Sequence, residues 1–264
     1  MKKLSIIKIG GNIIDDFAEL DNFLDQFSSI KGYKILVHGG GKLATETAER
    51  LGVKQTMVDG RRITDAQTLT IAVMVYAGLI NKSITAKLQQ RNCNAIGLSG
   101  ADANLITVQK RQHPQIDFGF VGDILPDGIN IKSTVQLLRT GFTPVFCAVT
   151  HDGNGQLFNT NSDTMASTIA TSFANTFDVN LVFCFEKKGV LANTDDDSSV
   201  LPELSFANYE SLKEKGIVSK GMIPKLDNAF KARKQKVQKV MIGHASQLVR
   251  IIDNNEYTAT AILD

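Results

Sequence analysis

Glycine-rich turns follow the first two predicted strands, and each begins with a side chain capable of polar chemistry. The first turn is KIGG at residues 8–11, and the second is HGGG at residues 38–41. Glycines let backbone N–H groups approach an anion closely, and a helix N-terminus favours negative charge. The HGGG turn therefore predicts a phosphate or carboxylate site. The KIGG turn, taken alone, is better explained by a solvated strand-end lysine and a plain turn.

Two named phosphate-binding motifs can be tested against the second turn. A Walker A loop requires glycine where Leu36 stands and Ser or Thr where Leu43 stands, so that motif fails. The G-x-G-x-x-A form of the dinucleotide fingerprint does match Gly39, Gly41 and Ala44, which leaves a nicotinamide or flavin enzyme as a rival hypothesis. Against that hypothesis, the turn follows the second strand, and the fingerprint leaves the KIGG turn unexplained. The histidine of HGGG is expected to pack or hydrogen-bond rather than act as a base.

Polar residues also cluster at two predicted helix starts. The segment NTNSD at 159–163 holds more capping residues than one helix needs, and Asp163 could hold cationic groups in place. Pro224 suits a first helical turn, whereas Lys225 beside it opposes the helix dipole and so suggests phosphate binding. A plain N-cap and a surface lysine are the simpler alternatives. The pair Arg61-Arg62 could clamp a carboxylate or lie exposed at the surface.

The elements that position these residues alternate between strands and helices. Short β-rich runs followed by helical patterns predict a parallel sheet with helices on both faces. A hairpin is predicted around Asp59-Gly60, and a long helix over 65–90 with Thr64 or Asp65 as its N-cap. The middle of that helix is apolar nearly all round, which a subunit interface would explain. A lobe boundary is possible between strand 143–149 and helix 161–174.

Bulk composition excludes several classes of protein. The 264 residues are 43% hydrophobic and 21% charged, as in an ordinary soluble enzyme, and the net charge of +2 is too small to predict a nucleic-acid or membrane partner. Three cysteines without a CxxC pair predict reduced thiols, with Cys147 and Cys184 in buried strands. Neither a signal peptide nor an apolar run near the ~20 residues of a membrane span is evident. We expect a cytoplasmic protein.

Taken together and in this order, the motifs resemble the amino acid kinase superfamily, and most closely its acetylglutamate kinase family. The resemblance runs through KIGG, VHGGGK, VDGRRIT, AIGLSGAD, GFVGDI, TPVF, DGNGQLFNTNSD and GIVSKGMIPK. It implies an α/β fold, the open αβα sandwich with a mainly parallel central sheet, in a single domain over 1–264. Within that domain it implies an acyl-amino-acid lobe over about 1–150 and an ATP lobe over about 151–264.

The resemblance also implies an activity and a set of site residues. The activity is ATP-dependent phosphorylation of the γ-carboxylate of N-acetyl-L-glutamate, the second step of arginine biosynthesis, with Mg²⁺ carried by the nucleotide and no metal site of the protein. The implied catalytic residues are Lys8, Lys225, Asp163 and Gly11. The implied substrate-binding residues are Gly40, Gly41, Arg62, Asn159 and Asn161. The implied nucleotide-binding residues are Gly10, Glu186, Gly189, Val190, Leu191, Ile217, Val218, Ser219 and Met222.

General chemistry agrees with this implication. Phosphoryl transfer between two anions needs charge cancellation and in-line positioning more than acid–base catalysis. A carboxylate is already a nucleophile at neutral pH, so no general base is required. The sequence, in which no catalytic histidine stands out, fits that requirement.

Departures from the family pattern leave alternatives open. The strand at 181–185 leads into FEKKG rather than the usual Ser/Thr-Asp-Val-x-Gly turn, and YTATAIL near the C-terminus lacks the usual Gly-Thr. The alternatives are the same reaction on N-succinyl-L-glutamate and a non-catalytic nucleotide-binding regulator. Only seven residues precede Lys8, whereas arginine-inhibited members carry an additional N-terminal helix that forms hexamers. We therefore expect a homodimer that is insensitive to arginine.

Overall fold

A computed structural model describes residues 1–58, 61–193, 195–218 and 221–263. Its strands are β1 (Lys3–Ile9), β2 (Tyr33–His38), β3 (Thr56–Val58), β4 (Arg61–Ile63), β5 (Ala95–Leu98), β6 (Ile106–Lys110), β7 (Gly122–Ile129), β8 (Thr143–Cys147), β9 (Val149–His151), β10 (Leu157–Asn159), β11 (Asp178–Phe185), β12 (Glu203–Leu204), β13 (Lys239–His244) and β14 (Ala259–Ile262).

Helices connect most of these strands, as the alternating pattern predicts. They are α1 (Gly11–Asp15), α2 (Phe17–Ser29), α3 (Gly41–Arg50), α4 (Ala66–Ala72), α5 (Asn81–Gln90), α6 (Ile131–Arg139), α7 (Ser162–Phe173), α8 (Phe206–Glu214), α9 (Ile223–Lys234) and α10 (Leu248–Asp253). A π-helical segment, Val73–Ile80, joins α4 to α5 without a break.

The chain forms two compact units, of which the first comprises Met1–Lys34 and Ala166–Asp264. Its strands run in the order β12-β14-β13-β11-β1, and the β1–β11 and β11–β13 pairs are parallel. The β13–β14 pair is antiparallel. Strand β11 is buried along nearly its whole length, because a central parallel strand is covered on both faces. The carboxyl ends of β1 and β11 lie side by side, with Ile9 opposite Cys184.

A buried lysine caps the C-terminus of helix α2 in this unit. Lys34 is 6% exposed, and its Nζ donates hydrogen bonds of 2.8–2.9 Å to the carbonyl oxygens of Phe27, Ser28 and Ile30 at the end of α2. A cation at a helix C-terminus interacts favourably with the helix dipole. This lysine is therefore a structural cap.

The second unit, Ile35–Met165, contains three sheets. Strands β2, β8 and β5 are parallel, β10-β9-β6-β7 form a separate sheet, and β3 pairs with β4 in an antiparallel hairpin. The hairpin confirms the prediction made from Asp59-Gly60, although that turn itself lies outside the described residues. The predicted strand 143–149 is instead two strands, because the chain passes from one sheet to another at Ala148.

The long helical stretch of this unit begins where predicted. Asp65 is the N-cap, and its side chain accepts a 2.8 Å hydrogen bond from the Thr68 amide. By length and composition alone, Ala66–Gln90 could also cross a membrane, but 44% of its most apolar window is buried inside the fold. A core helix of a globular protein passes the same test. Met74 and Leu79 on its π-helical segment are 54% and 56% exposed.

Candidate active site

A cavity of about 500 Å³ lies at the carboxyl ends of β1 and β11 in the first unit. It is lined by every described residue predicted to bind nucleotide, together with Gly11 and three lysines, Lys8, Lys187 and Lys225. The predicted nucleotide-binding residues in its wall are Gly10, Glu186, Gly189, Val190, Leu191, Ile217, Val218 and Met222. Ser219 lies outside the described residues. The cavity thus combines apolar side chains with glycine backbone and concentrated positive charge.

Two of the three lysines of this cavity, Lys8 and Lys225, are buried. Lys8 is 6% exposed and Lys225 is 7% exposed, so the alternative interpretation of each as a solvated surface lysine is wrong. The Lys225 Nζ lies 5.5 Å from the ring centroid of Phe183 and 5.8 Å from that of Phe185, within cation–π distance of two side chains of β11. Pro224 lies in the first turn of α9, and Lys225 follows it at the N-terminus of that helix.

The charges of Lys8 and Lys225 both affect the pKa of a buried thiol, that of Cys184. Burial raises the pKa of Cys184 to about 12, and the charges of Lys225 and Lys8 oppose that rise. Two residues far apart in sequence therefore act on one position of β11. A positive field of this kind, beside backbone amides, suits a polyphosphate.

The wall of the cavity depends on a threonine that sequence reasoning missed. Thr260 is fully buried in β14, and its hydroxyl accepts a 2.8 Å hydrogen bond from the Val190 amide while donating one of 2.6 Å to the Leu201 carbonyl. A Cβ on Gly189 would lie only 2.6 Å from that hydroxyl, so the close approach requires glycine here. A hydroxyl inside the apolar pattern of the last predicted strand was the available signal.

The unusual FEKKG turn does not close the cavity. Glu186 lines the cavity. Lys187 forms a 2.6 Å ion pair with Asp197, and the two side chains are 42% and 69% exposed, respectively. An exposed pair of this kind contributes little to stability, about 0–1 kcal/mol.

The second unit gathers the predicted acid-binding residues around the HGGG turn. The Arg62 Nη2 donates hydrogen bonds of 2.8 Å to the Gly41 carbonyl and to the Thr45 hydroxyl, and its Nη1 donates to the Gln55 side chain. Arg61 is exposed, whereas Arg62 is partly buried against the start of α3. Of the two arginines, Arg62 is therefore the one built into this turn.

A buried threonine links Arg62 to the predicted asparagine. The side-chain amide of Asn159 donates a 3.1 Å hydrogen bond to the Thr64 hydroxyl, and that hydroxyl donates one of 3.3 Å to the Arg62 carbonyl. Asn161 caps α7, since its Oδ1 accepts a 2.9 Å hydrogen bond from the Thr164 amide. Asp163 lies in the first turn of α7 and is partly buried.

A tyrosine completes this group and was not predicted. A Cβ on Gly41 would lie 3.9 Å from the Tyr76 hydroxyl and 3.7 Å from the Arg62 Nη2, so both polar groups border the turn. Burial raises the pKa of Tyr76, and the positive charge of Arg62 opposes that rise. A lone polar ring in the apolar stretch VMVYAGLI was the available signal. π-Helical segments such as this one recur at functional sites.

Comparison with known proteins assigns the fold and the family. The model of the amino acid kinase family matches residues 3–244. The chain belongs to the amino acid kinase family. Within that family, a protein named acetylglutamate kinase from Cytophaga hutchinsonii is 52% identical over 264 residues, covering 100% of this chain and 99% of the relative. Acetylglutamate kinase from Methanopyrus kandleri is 36% identical over 86% of this chain and 89% of that protein.

Several solved structures share the fold. The protein smu.665 from Streptococcus mutans superposes with a TM-score of 0.78 at 23% identity, covering 99% of each chain. Carbamate kinase from Giardia lamblia superposes with a TM-score of 0.66 at 16% identity, also over 99% of each chain. The predicted open αβα fold, the predicted kinase activity and the predicted acetylglutamate kinase family are all confirmed. The kinase family excludes the rival nicotinamide or flavin enzyme.

We expect Thr260→Val to impair ATP use by this kinase, because valine keeps the volume but neither accepts from the Val190 amide nor donates to Leu201. Losing such a buried hydrogen bond costs about 1–3 kcal/mol. Part of that cost should appear as an apparent KM for ATP raised roughly 5-fold, with the KM for the acid unchanged. Thr260→Ser keeps the hydroxyl and is the matched control. Equal KM values for ATP in the two variants would remove Thr260 from the nucleotide site.

Proposed function

We propose that this kinase phosphorylates the γ-carboxylate of N-acetyl-L-glutamate with ATP, giving an acyl phosphate and ADP, in the second step of arginine biosynthesis. The observation that carries the proposal is the pair of buried lysines on a cavity at the carboxyl ends of β1 and β11. The full-length similarity to acetylglutamate kinases supports the choice of acid. A carboxylate acceptor also agrees with the chemistry, since it needs no general base.

ATP is assigned to the cavity of the first unit. Its apolar wall, which includes Val190, Leu191 and Met222, suits an adenine ring, while Gly11 offers backbone to the phosphates. Gly10 also lines the cavity, but its N–H donates to the Cys184 carbonyl. Mg²⁺ would arrive on the nucleotide and neutralise part of the phosphate charge. Carbamate kinase from Giardia lamblia, which shares this fold, has been crystallised with AMP-PNP.

Lys8 and Lys225 are assigned to the transferring phosphoryl group. An oxygen of the substrate γ-carboxylate attacks the γ-phosphorus, the bond to the β–γ bridging oxygen breaks, and ADP leaves. Fixed positive charges stabilise the charge that develops on the phosphoryl and bridging oxygens. The Gly11 N–H would add a donor, and Asp163 would orient the two lysines, as the family resemblance implies.

The acid is assigned to the second unit. The amides of Gly40 and Gly41, at the start of α3, would receive one of its carboxylates, and Arg62, Asn159 and Asn161 would hold the rest of the molecule. The hydrogen bonds that join Arg62 to Gly41 and, through Thr64, to Asn159 support a common site. The proposed lobes 1–150 and 151–264 stay a prediction.

Arg62→Ala should raise the KM for N-acetylglutamate roughly 10- to 100-fold while the KM for ATP changes less than about twofold. The reason is that a charge-assisted hydrogen bond to a carboxylate contributes about 1.5–3 kcal/mol. The matched control is Arg61→Ala, which removes the same charge from an exposed side chain one residue away. If Arg62→Ala weakened ATP use alone, the assignment of acid and nucleotide to the two units would be wrong.

Two alternatives within the fold remain to be separated. One is the same reaction with N-succinyl-L-glutamate, which requires only a different acyl pocket. The other is a nucleotide-binding regulator without catalysis, suggested by the FEKKG turn. The burial of Lys8 and Lys225 favours catalysis, since burying two lysines is costly and a regulator does not require both.

We also propose a cytoplasmic homodimer. Met74 and Leu79 are apolar side chains that lie exposed on an apolar helical stretch, and this exposure supports an interface there. Sedimentation that showed hexamers would contradict this proposal.

A coupled ADP-release assay with ATP–Mg²⁺ tests the function. N-acetylglutamate, N-succinylglutamate, free glutamate and aspartate are compared side by side. Highest turnover with N-acetylglutamate supports the proposal. Highest turnover with N-succinylglutamate would change the assigned acyl group from acetyl to succinyl. Measurable ATP binding without turnover on any of the four acids would favour the regulator.

A further inference from the structure

We infer that His38 is a positioning residue for the acid site: its neutral imidazole, held by Asn81, fixes the peptide between Gly39 and Gly40 so that the Gly40 N–H faces the substrate. The inference rests on the proposed function, in which the Gly40 amide binds the acid. His38 is fully buried at the end of β2, so it does not contact bulk solvent and need not touch the substrate.

The hydrogen bonds of His38 define its protonation. The Nδ1 lies 2.8 Å from the Gly39 carbonyl oxygen, which can only accept, so Nδ1 carries the proton. The Nε2 lies 3.0 Å from the Asn81 side-chain nitrogen, which can only donate, so Nε2 carries a lone pair. Burial lowers the pKa of His38 to about 4, in agreement with this neutral form at pH 7.

The tautomer is imposed by Asn81, which is itself fixed. The same Asn81 nitrogen donates a 2.9 Å hydrogen bond to the Val145 carbonyl, and the Asn81 Oδ1 accepts one of 3.3 Å from the Lys82 Nζ. With its oxygen and nitrogen assigned by these partners, Asn81 presents a donor to His38. A Cβ on Gly97 would collide with the Asn81 side chain, so glycine at that position leaves room for it.

Fixing the Gly39 carbonyl fixes the Gly40 amide. No peptide bond among the described residues is cis, and in a trans peptide the N–H points opposite to the C=O. The Gly39 oxygen faces His38, so the Gly40 N–H faces away from it. The other two carbonyls of the turn also have donors: the Ala44 amide for Gly40, and Arg62 for Gly41.

One helical segment supports the turn at two successive residues. Ile80 packs where a Cβ on Gly40 would lie, and Asn81, the next residue, holds His38. The junction between the π-helical segment, which ends at Ile80, and α5, which begins at Asn81, therefore makes both contacts. Without the imidazole donor, the peptide between Gly39 and Gly40 would be free to rotate, and the amide donor would lose its direction.

Two substitutions of His38 separate its two nitrogens. His38→Asn retains a donor near the Nδ1 position, and His38→Gln retains an acceptor near the Nε2 position but loses the bond to Gly39. We expect His38→Gln to raise the KM for the preferred acylglutamate at least about tenfold, with the KM for ATP changed less than twofold. His38→Asn should stay within about threefold of the wild type. Equal KM values for the acid in both variants, or an equal rise for acid and ATP, would overturn the inference.

A second measurement tests the geometry independently of activity. In ¹⁵N-histidine-labelled protein at pH 7, the His38 imidazole should be the neutral Nδ1–H tautomer. An imidazolium or an Nε2–H tautomer would overturn the inference even if neither variant folds. If the wild-type protein turned over none of the acids while the predicted tautomer were present, the proposed function would fail and the hydrogen-bond arrangement would stand.

Discussion

Lys8→Met should lower kcat roughly 10²- to 10³-fold while changing the KM values for ATP and for the acid less than about threefold. The expected size is that of removing one preorganised electrostatic donor from a transition state. Methionine keeps most of the length and apolar volume of the buried lysine, so the change removes charge without opening a large cavity. Steady-state rates in the ADP-release assay measure the effect.

The same cavity offers a control for Lys8→Met. Lys187 also lines it, but its side chain is 42% exposed and paired with Asp197. Lys187→Met removes the same charge from the same cavity, and we expect kcat within about twofold of the wild type. A thermal melt of each variant would show whether the fold is retained. If the two variants lost activity equally, the effect of Lys8 would be one of overall charge and not of position.

Gly40→Ala should raise the KM for the acid at least about tenfold and lower the melting temperature. Gly40 has φ of +151°, where side chains are strained, and an added Cβ would collide with Ile80 and lie 3.0 Å from Tyr76. Backbone strain of this kind costs on the order of 1–3 kcal/mol, and each 1.4 kcal/mol corresponds to a factor of about ten. The clash would displace the amide that is proposed to bind the acid.

Gly52→Ala is the matched control for Gly40→Ala. Gly52 also has positive φ, +71°, but no atom lies within 4 Å of an added Cβ. We expect a loss of stability of about 1–2 kcal/mol with unchanged KM values. Adding Ile80→Val to Gly40→Ala removes the methyl group nearest the clash and should recover part of the affinity for the acid. A wild-type KM in Gly40→Ala would show that this amide does not bind substrate.

Local sequence predicts a large part of this fold because its signals act over a few residues. The strand β1 and its glycine turn, the β3–β4 hairpin and the Asp65 cap of the long helix all follow from neighbouring residues. The burial of Cys147 and Cys184 likewise follows from the apolar runs around them. The order of these motifs was enough to indicate the family, which the relatives confirm.

Only the tertiary structure decided which polar residues act together. Sequence left Lys8 and Lys225 open to a surface interpretation, because burial depends on strands and helices distant in the chain. The contact between Thr260 and the Val190 amide spans 70 residues, and that between Asn81 and His38 spans 43. No local periodicity encodes such pairs, since each joins elements far apart in the chain: Thr260 lies on β14 and Val190 follows β11, whereas Asn81 lies on α5 and His38 ends β2. The sequence thus determined the motifs and the elements that carry them, and the packing of those elements determined which donors face one another.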